Sequence, residues 1–195
     1  MKLSHLAPIA LAICMAPAFL GAAPEKYKID PVHSSLIFKI KHMNIANFYG
    51  RFNKMEGSFT YDKENAENNK LEIKIDADSV DTANGKRDEH VKSPDFLNAK
   101  QYPAIEFKST SVKKLSDTEF ELTGDMTLHG QTKSVTTKLQ KTGEATDQKG
   151  VHRAGGETTF TIKRSDFGMD KMMQMLGDEI TVTVAVEGIR EAASE

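Results

Sequence analysis

The chain has 195 residues, 38% of them hydrophobic and 28% charged, with a formal net charge of −2. This balance excludes a disordered chain, and a mildly negative charge with no basic cluster excludes a nucleic-acid binder. After the first two dozen residues no apolar run is long enough to cross a bilayer as a helix, and one domain is the expected organisation at this length.

Residues 1–23 are composed unlike the rest. Lys2 supplies a positive start, Leu6 to Leu20 is apolar apart from Pro8 and Pro17, and Gly21-Ala22-Ala23 places small residues before a cut. This pattern predicts a signal peptide over 1–23 and a mature domain over 24–195 in the periplasm. Pro24 is a poor residue after the cut, so the site is expected within a few positions of Ala23. Bulky Ile13 before Cys14 argues against lipid modification there, and Cys14 then leaves with the peptide. The mature chain has no cysteine, so its hydrophobic core must hold it without a disulfide. Losing Lys2 moves the formal charge only from −2 to −3.

From Tyr27 onward the hydrophobic pattern has a period of two, the mark of strands with one wet and one dry face. Leu36, Phe38 and Ile40 fall opposite Lys39 and Lys41, and about 48–62 reads as a second strand. Leu71, Ile73, Ile75 and Ala77 alternate with Glu72, Lys74 and Asp76. Asn84-Gly85 then introduces Lys86 to Lys92, rich in helix formers, which predicts one short helix ending by Ser93-Pro94. Further strands follow at about 103–112, Glu119 to Met126, 132–142, 153–164 and Ile180 to Glu187, separated by turns such as Ser116-Asp117 and His129-Gly130, for eight in all. Such a chain is all-β, an antiparallel sandwich or a closed barrel, with the helix between strands 3 and 4. Closure removes aggregation-prone edges, and eight strands leave room for side chains or one small ligand.

Chemistry-bearing residues are scattered. His33, His42, His90, His129 and His152 lie in separate segments, no zinc spacing occurs, and no metal is expected. No nucleophile elbow or phosphate loop is present and no catalytic residue is assigned. Arg87-Asp88-Glu89-His90 reads either as a solvated helix face or as a polar collar around a ligand head group. The phenylalanines, with no tryptophan, suit either a filled core or an apolar pocket. Met169, Met172, Met173 and Met175 crowd a segment bounded by Gly168 and Gly177, which reads as a greasy portal or as a loop packed over the barrel end.

Several runs together resemble the YceI-like family. They are Tyr27-Lys28-Ile29-Asp30 to His33-Ser34, Gly50-Arg51-Phe52 to Gly57-Ser58-Phe59, Ser79-Val80-Asp81-Thr82 with Arg87, Asp88 and His90, and Ser93-Pro94-Asp95-Phe96-Leu97 with Tyr102-Pro103. Gly124 to Gly130 with Thr132-Lys133, and Arg164 to Met169 with Gly177-Asp178-Glu179, complete the likeness in the same order along the mature chain. Met172 to Met175 is more apolar than in relatives. The resemblance implies a lipocalin-like barrel, commonly dimeric and periplasmic, that holds a polyisoprenoid or similar long-chain amphiphile and carries no catalytic residue. Family names refer to stress conditions, so a stress-related role is part of the expectation.

Resemblance and alternation together turn Leu36, Phe38, Ile40, Phe52, Phe59, Ile73, Ile75, Phe107, Leu122, Met126, Leu128, Phe160, Ile162, Val182 and Val184 inward around a lipid tail. Arg87, Asp88 and His90 are the candidates for the mouth and head group, and Phe167 with Met169, Met172, Met173 and Met175 for the portal. A phosphate head would suit the planar fork of Arg87, but the lack of a wider basic cluster argues against a strongly anionic head and leaves an alcohol, amide or quinone-like group open. The expected partner is thus an isoprenoid or fatty amphiphile bound by a homodimer, with no other cofactor. Two alternatives stand beside this: a lipid-modifying periplasmic enzyme with His90 or His42 as base, and a barrel filled by its own side chains that serves a structural or stress interaction.

Overall fold

The computed structural model describes residues 23–192; apart from Ala23, the expected signal peptide lies outside the described residues. Among the described residues, eleven strands form one antiparallel sheet: β1 (Glu25–Ile29), β2 (Ser35–His42), β3 (Ala46–Phe52), β4 (Met55–Tyr61), β5 (Lys70–Asp76), β6 (Val80–Asp81), β7 (Ala104–Lys114), β8 (Glu119–Leu128), β9 (Gln131–Thr146), β10 (His152–Lys163) and β11 (Leu176–Arg190). The one α-helix among the described residues, α1 (Gly85–Lys92), lies between β6 and β7.

The sheet order is β1-β4-β5-β7-β8-β9-β10-β11-β2-β3-β6, and β11 also pairs with β1. Both β1 and β2 run antiparallel to β11, β4 and β3 pair with them in turn, and β5 and β6 pair with β4 and β3. Each of these pairs of segments is one strand interrupted, so the eleven segments fill eight ring positions. The fold is a closed antiparallel eight-stranded barrel whose one short helix follows the third position, as the sequence predicts.

The interruptions have local causes. Pro31 has no amide hydrogen to continue a ladder, and Asp30 Oδ1 turns the chain by accepting from Val32 N–H at 3.0 Å. Asn53 N–H leaves the strand to donate to the Ser79 carbonyl at 3.0 Å. Asp76 caps the helical turn Ala77–Ser79 by accepting from Asp78 N–H. The run expected as one strand over about 48–62 is therefore two, and Glu25–Ile29 forms a strand that the period-two count does not separate.

In this up-and-down order the β2–β3 hairpin, the α1 segment, the β8–β9 turn and the β10–β11 loop gather at one end, the mouth. The β4–β5, β7–β8 and β9–β10 connections gather at the other, the floor. The β8–β9 turn places His129 and Gly130 at φ 52° and 73°, the primed turn that matches strand twist. Inside, β5 and β8 alternate buried and more exposed residues along their length. Gly50 is required by close approach: a Cβ there would fall 2.3 Å from the Phe38 ring, so the bare backbone lets that ring lie back against the wall.

Candidate ligand-binding cavity

A cavity of about 320 Å³ runs from the mouth into the barrel, and its walls are almost entirely aliphatic and aromatic. Of the residues expected to face inward, every one but Phe59 lines it. Phe59 instead stacks on Tyr27 of β1, ring centroids 4.7 Å apart, and lines a separate chamber of about 80 Å³ at the floor. Leu71, Leu122, Leu139, Gly156 and Val186 line both chambers and so form the constriction between them. The floor chamber ends on Lys141, whose ammonium donates to Tyr61 Oη at 3.2 Å and to Glu144 at 2.9 Å. Lys63 and Lys141 together hold the Glu144 carboxyl down at about 2.

At the mouth the three head-group candidates separate. Arg87 and His90 line the cavity, whereas Asp88 does not. Asp88 is occupied in accepting from the backbone N–H of Thr82 at 2.8 Å and from its hydroxyl. The same hydroxyl accepts from Arg87 Nε at 2.9 Å, and Arg87 also donates to the Thr82 carbonyl at 2.6 Å. Its guanidinium lies over the Phe48 ring, 4.3 Å from the centroid, linking α1 to β3 across the entrance. Asp88 is thereby a positioning residue for Arg87. His90 pairs with Asp95 at 3.2 Å and packs edge-on against Phe96. The helix itself is set by Asn84, which caps it by accepting from Arg87 N–H.

The portal candidates also separate. Met169 and Met172 line the cavity, but Phe167, Met173 and Met175 do not. Phe167 is fully buried, and its carbonyl bonds His129 Nδ1 at 2.9 Å. Met173 and Met175 are exposed. The loop is fixed by Arg164, a buried cation that donates to the carbonyls of Gly177, Met169, Lys171 and Leu176 at 2.6 to 3.1 Å. Burial lowers the pKa of this guanidinium, and the four carbonyls supply the compensating dipoles.

A family model described as the YceI-like domain matches residues 27–188. The chain belongs to the YceI-like family. A UPF0312 protein of Pseudomonas aeruginosa is 40% identical over 188 residues, covering 95% of this chain and 97% of the relative. A protein of Escherichia coli O157:H7 named YceI is 39% identical over 173 residues, covering 88% and 90%. Among solved structures, a polyisoprenoid binding domain from Saccharophagus degradans implicated in plant cell wall breakdown aligns with a TM-score of 0.70 at 14% identity, over 85% of this chain and 98% of that one. This last likeness is one of fold.

Sequence reasoning missed several walls of this YceI-like cavity. Val91, Phe96, Leu97 and Thr82 line it from the α1 side, and His42, Leu176 and Arg164 from the other. The helical pattern of 86–92 looks solvated because α1 buries no residue, so its contribution to the wall leaves no periodic signal. The lining hydroxyls have partners already: Thr137 and Thr158 share a 2.7 Å bond, and Thr158 donates to the Lys138 carbonyl. Away from the cavity, Asp30, His33 and Glu187 bring ligand-type atoms within 4.8 Å of one another. Arg153 already supplies the cation there, at 2.8 Å from Asp30 and 2.6 Å from Glu187.

Proposed function

We propose that the chain is a periplasmic carrier or store for a long apolar lipid, a polyisoprenoid or isoprenoid quinone-like amphiphile, held tail-inward in the barrel without chemical change. The observation that carries this reading is the aliphatic and aromatic cavity of about 320 Å³ inside a closed barrel, with its charged side chains at the mouth end. Burying a few hundred Å² of tail contributes at about 25 cal/mol per Å² before association costs, enough for micromolar retention. Arg87 and His90 suit a head group that accepts hydrogen bonds, and a neutral one, since the other lining cation, Arg164, is already engaged by four backbone carbonyls. The polyisoprenoid binding of the Saccharophagus degradans domain supports the choice of lipid class. The leader-like composition of residues 1–23 supports export, and a homodimer is the proposed assembly.

A carrier is favoured over an enzyme because the hydroxyls lining the cavity are tied into threonine and backbone bonds, not aligned with His42 or His90. The test is native mass spectrometry of detergent-free protein from its own periplasm, followed by solvent extraction. A stoichiometric, unmodified long-chain isoprenoid is the expected result, and the same spectrum reads the oligomer. A clean apo mass that survives incubation with polyprenyl alcohols would overturn the reading.

A further inference from the structure

The mouth carries an apolar surface that extends beyond the cavity. Ile45 and Met43 at the tip of the β2–β3 hairpin are 80% and 51% exposed, and Met172, Met173 and Met175 of the neighbouring loop are each above 40%. Met43 N–H donates to the Met175 carbonyl at 2.6 Å, so the two loops form one surface. His42 and Met172 also line the cavity, which makes this surface continuous with the entrance. Met43 and Met172 sit at φ 49° and 56°, where glycine or asparagine costs less. Two exposed methionines thus occupy backbone positions that folding alone would give to other residues.

The charge pattern points to one occupant. From Ser34 to Met55 there is no acidic residue, while Lys39, Lys41, Arg51 and Lys54 are all present. Arg51 and Lys54 are neutralised by Asp81 and Asp76, but Lys39 and Lys41 make no ion pair among the described residues. The adjacent loop is near neutral, with Asp170 beside Lys171. An apolar tip, an exposed Tyr49 behind it and unpaired lysines on the same hairpin are the elements of an interfacial anchor on anionic lipid. A second copy is the poorer fit, because two-fold pairing through this hairpin would bring Lys39 and Lys41 against their own counterparts.

We propose that the mouth end docks on an anionic bilayer surface through the β2–β3 hairpin and the β10–β11 loop, so that the cavity opens onto the membrane. The purpose of such docking rests on the lipid-carrier reading above. The experiment is flotation of the full mature protein with vesicles of phosphatidylethanolamine and phosphatidylglycerol, and in parallel with phosphatidylcholine. Wild type is expected to float with the anionic vesicles. The pair Met43→Asn/Ile45→Thr should lower the partition roughly tenfold, and Lys39→Gln/Lys41→Gln roughly fivefold per lysine on anionic vesicles only. Leu115→Ser, which removes an exposed leucine at the floor, should change nothing. Asparagine suits the left-handed turn at position 43, so a melting temperature at or above wild type separates lost docking from lost folding. Failure of wild type to float, or loop variants that behave like Leu115→Ser, would overturn the proposal. So would a wild-type dimer in sedimentation that the loop variants convert to monomer without vesicle binding. Lipid extracted from the same preparations keeps the two readings apart: bound lipid without flotation sinks docking alone, and flotation of a lipid-free protein sinks the carrier alone.

Discussion

The two ends of the barrel are held by different forces. At the floor, side-chain charges are paired: Asp30 takes His33 and Arg153 at 2.8 Å, Arg153 reaches Glu187, and Glu144 lies between Lys63 and Lys141 at 2.9 Å from each. At the mouth, α1 buries no residue and is attached by the Arg87–Thr82–Asp88 chain and the Phe48 ring, while the methionine loop is tied by Arg164 and by the Met43 N–H bond to the Met175 carbonyl. Ion pairs between partly buried side chains fix geometry and resist opening. Bonds to single carbonyls and ring faces are individually weak. Stability is thus concentrated where the barrel has no reason to open, and the entrance is built from pieces whose attachment can be exchanged at small cost.

The largest expected effect tests the exception, a mouth element that is firmly held. Arg164→Met takes the guanidinium donor away from four carbonyls and should cost about 3 kcal/mol or more in denaturant unfolding. Hydrogen exchange should rise first over residues 168–177. A loss below about 1 kcal/mol would mean that the loop is held by its methionines and not by the buried cation.

Next in size is the floor. Asp30→Asn keeps the shape but removes the charge that Arg153 and His33 face, at an expected cost of about 2 kcal/mol near neutral pH. Hydrogen bonds from His33, Arg153 and the Val32 backbone hold the Asp30 carboxyl well below its ordinary 3.8. The folded state therefore takes up this proton less readily than the unfolded chain does. Its contribution is full well above 3.8 and is lost as the pH falls through the lowered value. Melting curves of wild type and Asp30→Asn should run parallel near neutrality and converge in acid; a gap that persists undiminished in acid would assign the effect to packing.

The same contrast explains what the sequence could reveal. The barrel wall was legible because alternation encodes a face, and residues such as Leu122, Met126 and Leu128 on β8 have no other reason to recur every second position. Phe59 was placed in the main cavity because β1 went unseparated, and the Tyr27 ring that takes it to the floor belongs to that strand. The mouth was less legible. Asp88 and Arg87 look alike as charges on one helix, and only the hydroxyl of Thr82 decides that the first supports the second. Arg164 carried no signal beyond its place in a family-like run, since its partners are backbone carbonyls, which every residue has.

The smallest expected effect on stability is at Arg87, and it sharpens the contrast most. Its contacts are two donations to Thr82 and an exposed stacking on Phe48, an arrangement that contributes on the order of 1 kcal/mol. Arg87→Ala should therefore melt close to wild type, within what Asp30→Asn loses. Because the same guanidinium joins α1 to β3 across the entrance, its removal should speed the transfer of bound lipid to acceptor vesicles, measured on protein loaded with one polyprenyl alcohol. Arg87→Lys restores charge but not the planar contact with the ring or the fork to Thr82, and should release almost as fast as Ala. A release rate unchanged in both variants, or an Arg87→Ala melting loss as large as that of Asp30→Asn, would show that α1 is part of the rigid wall and that the two ends are held alike.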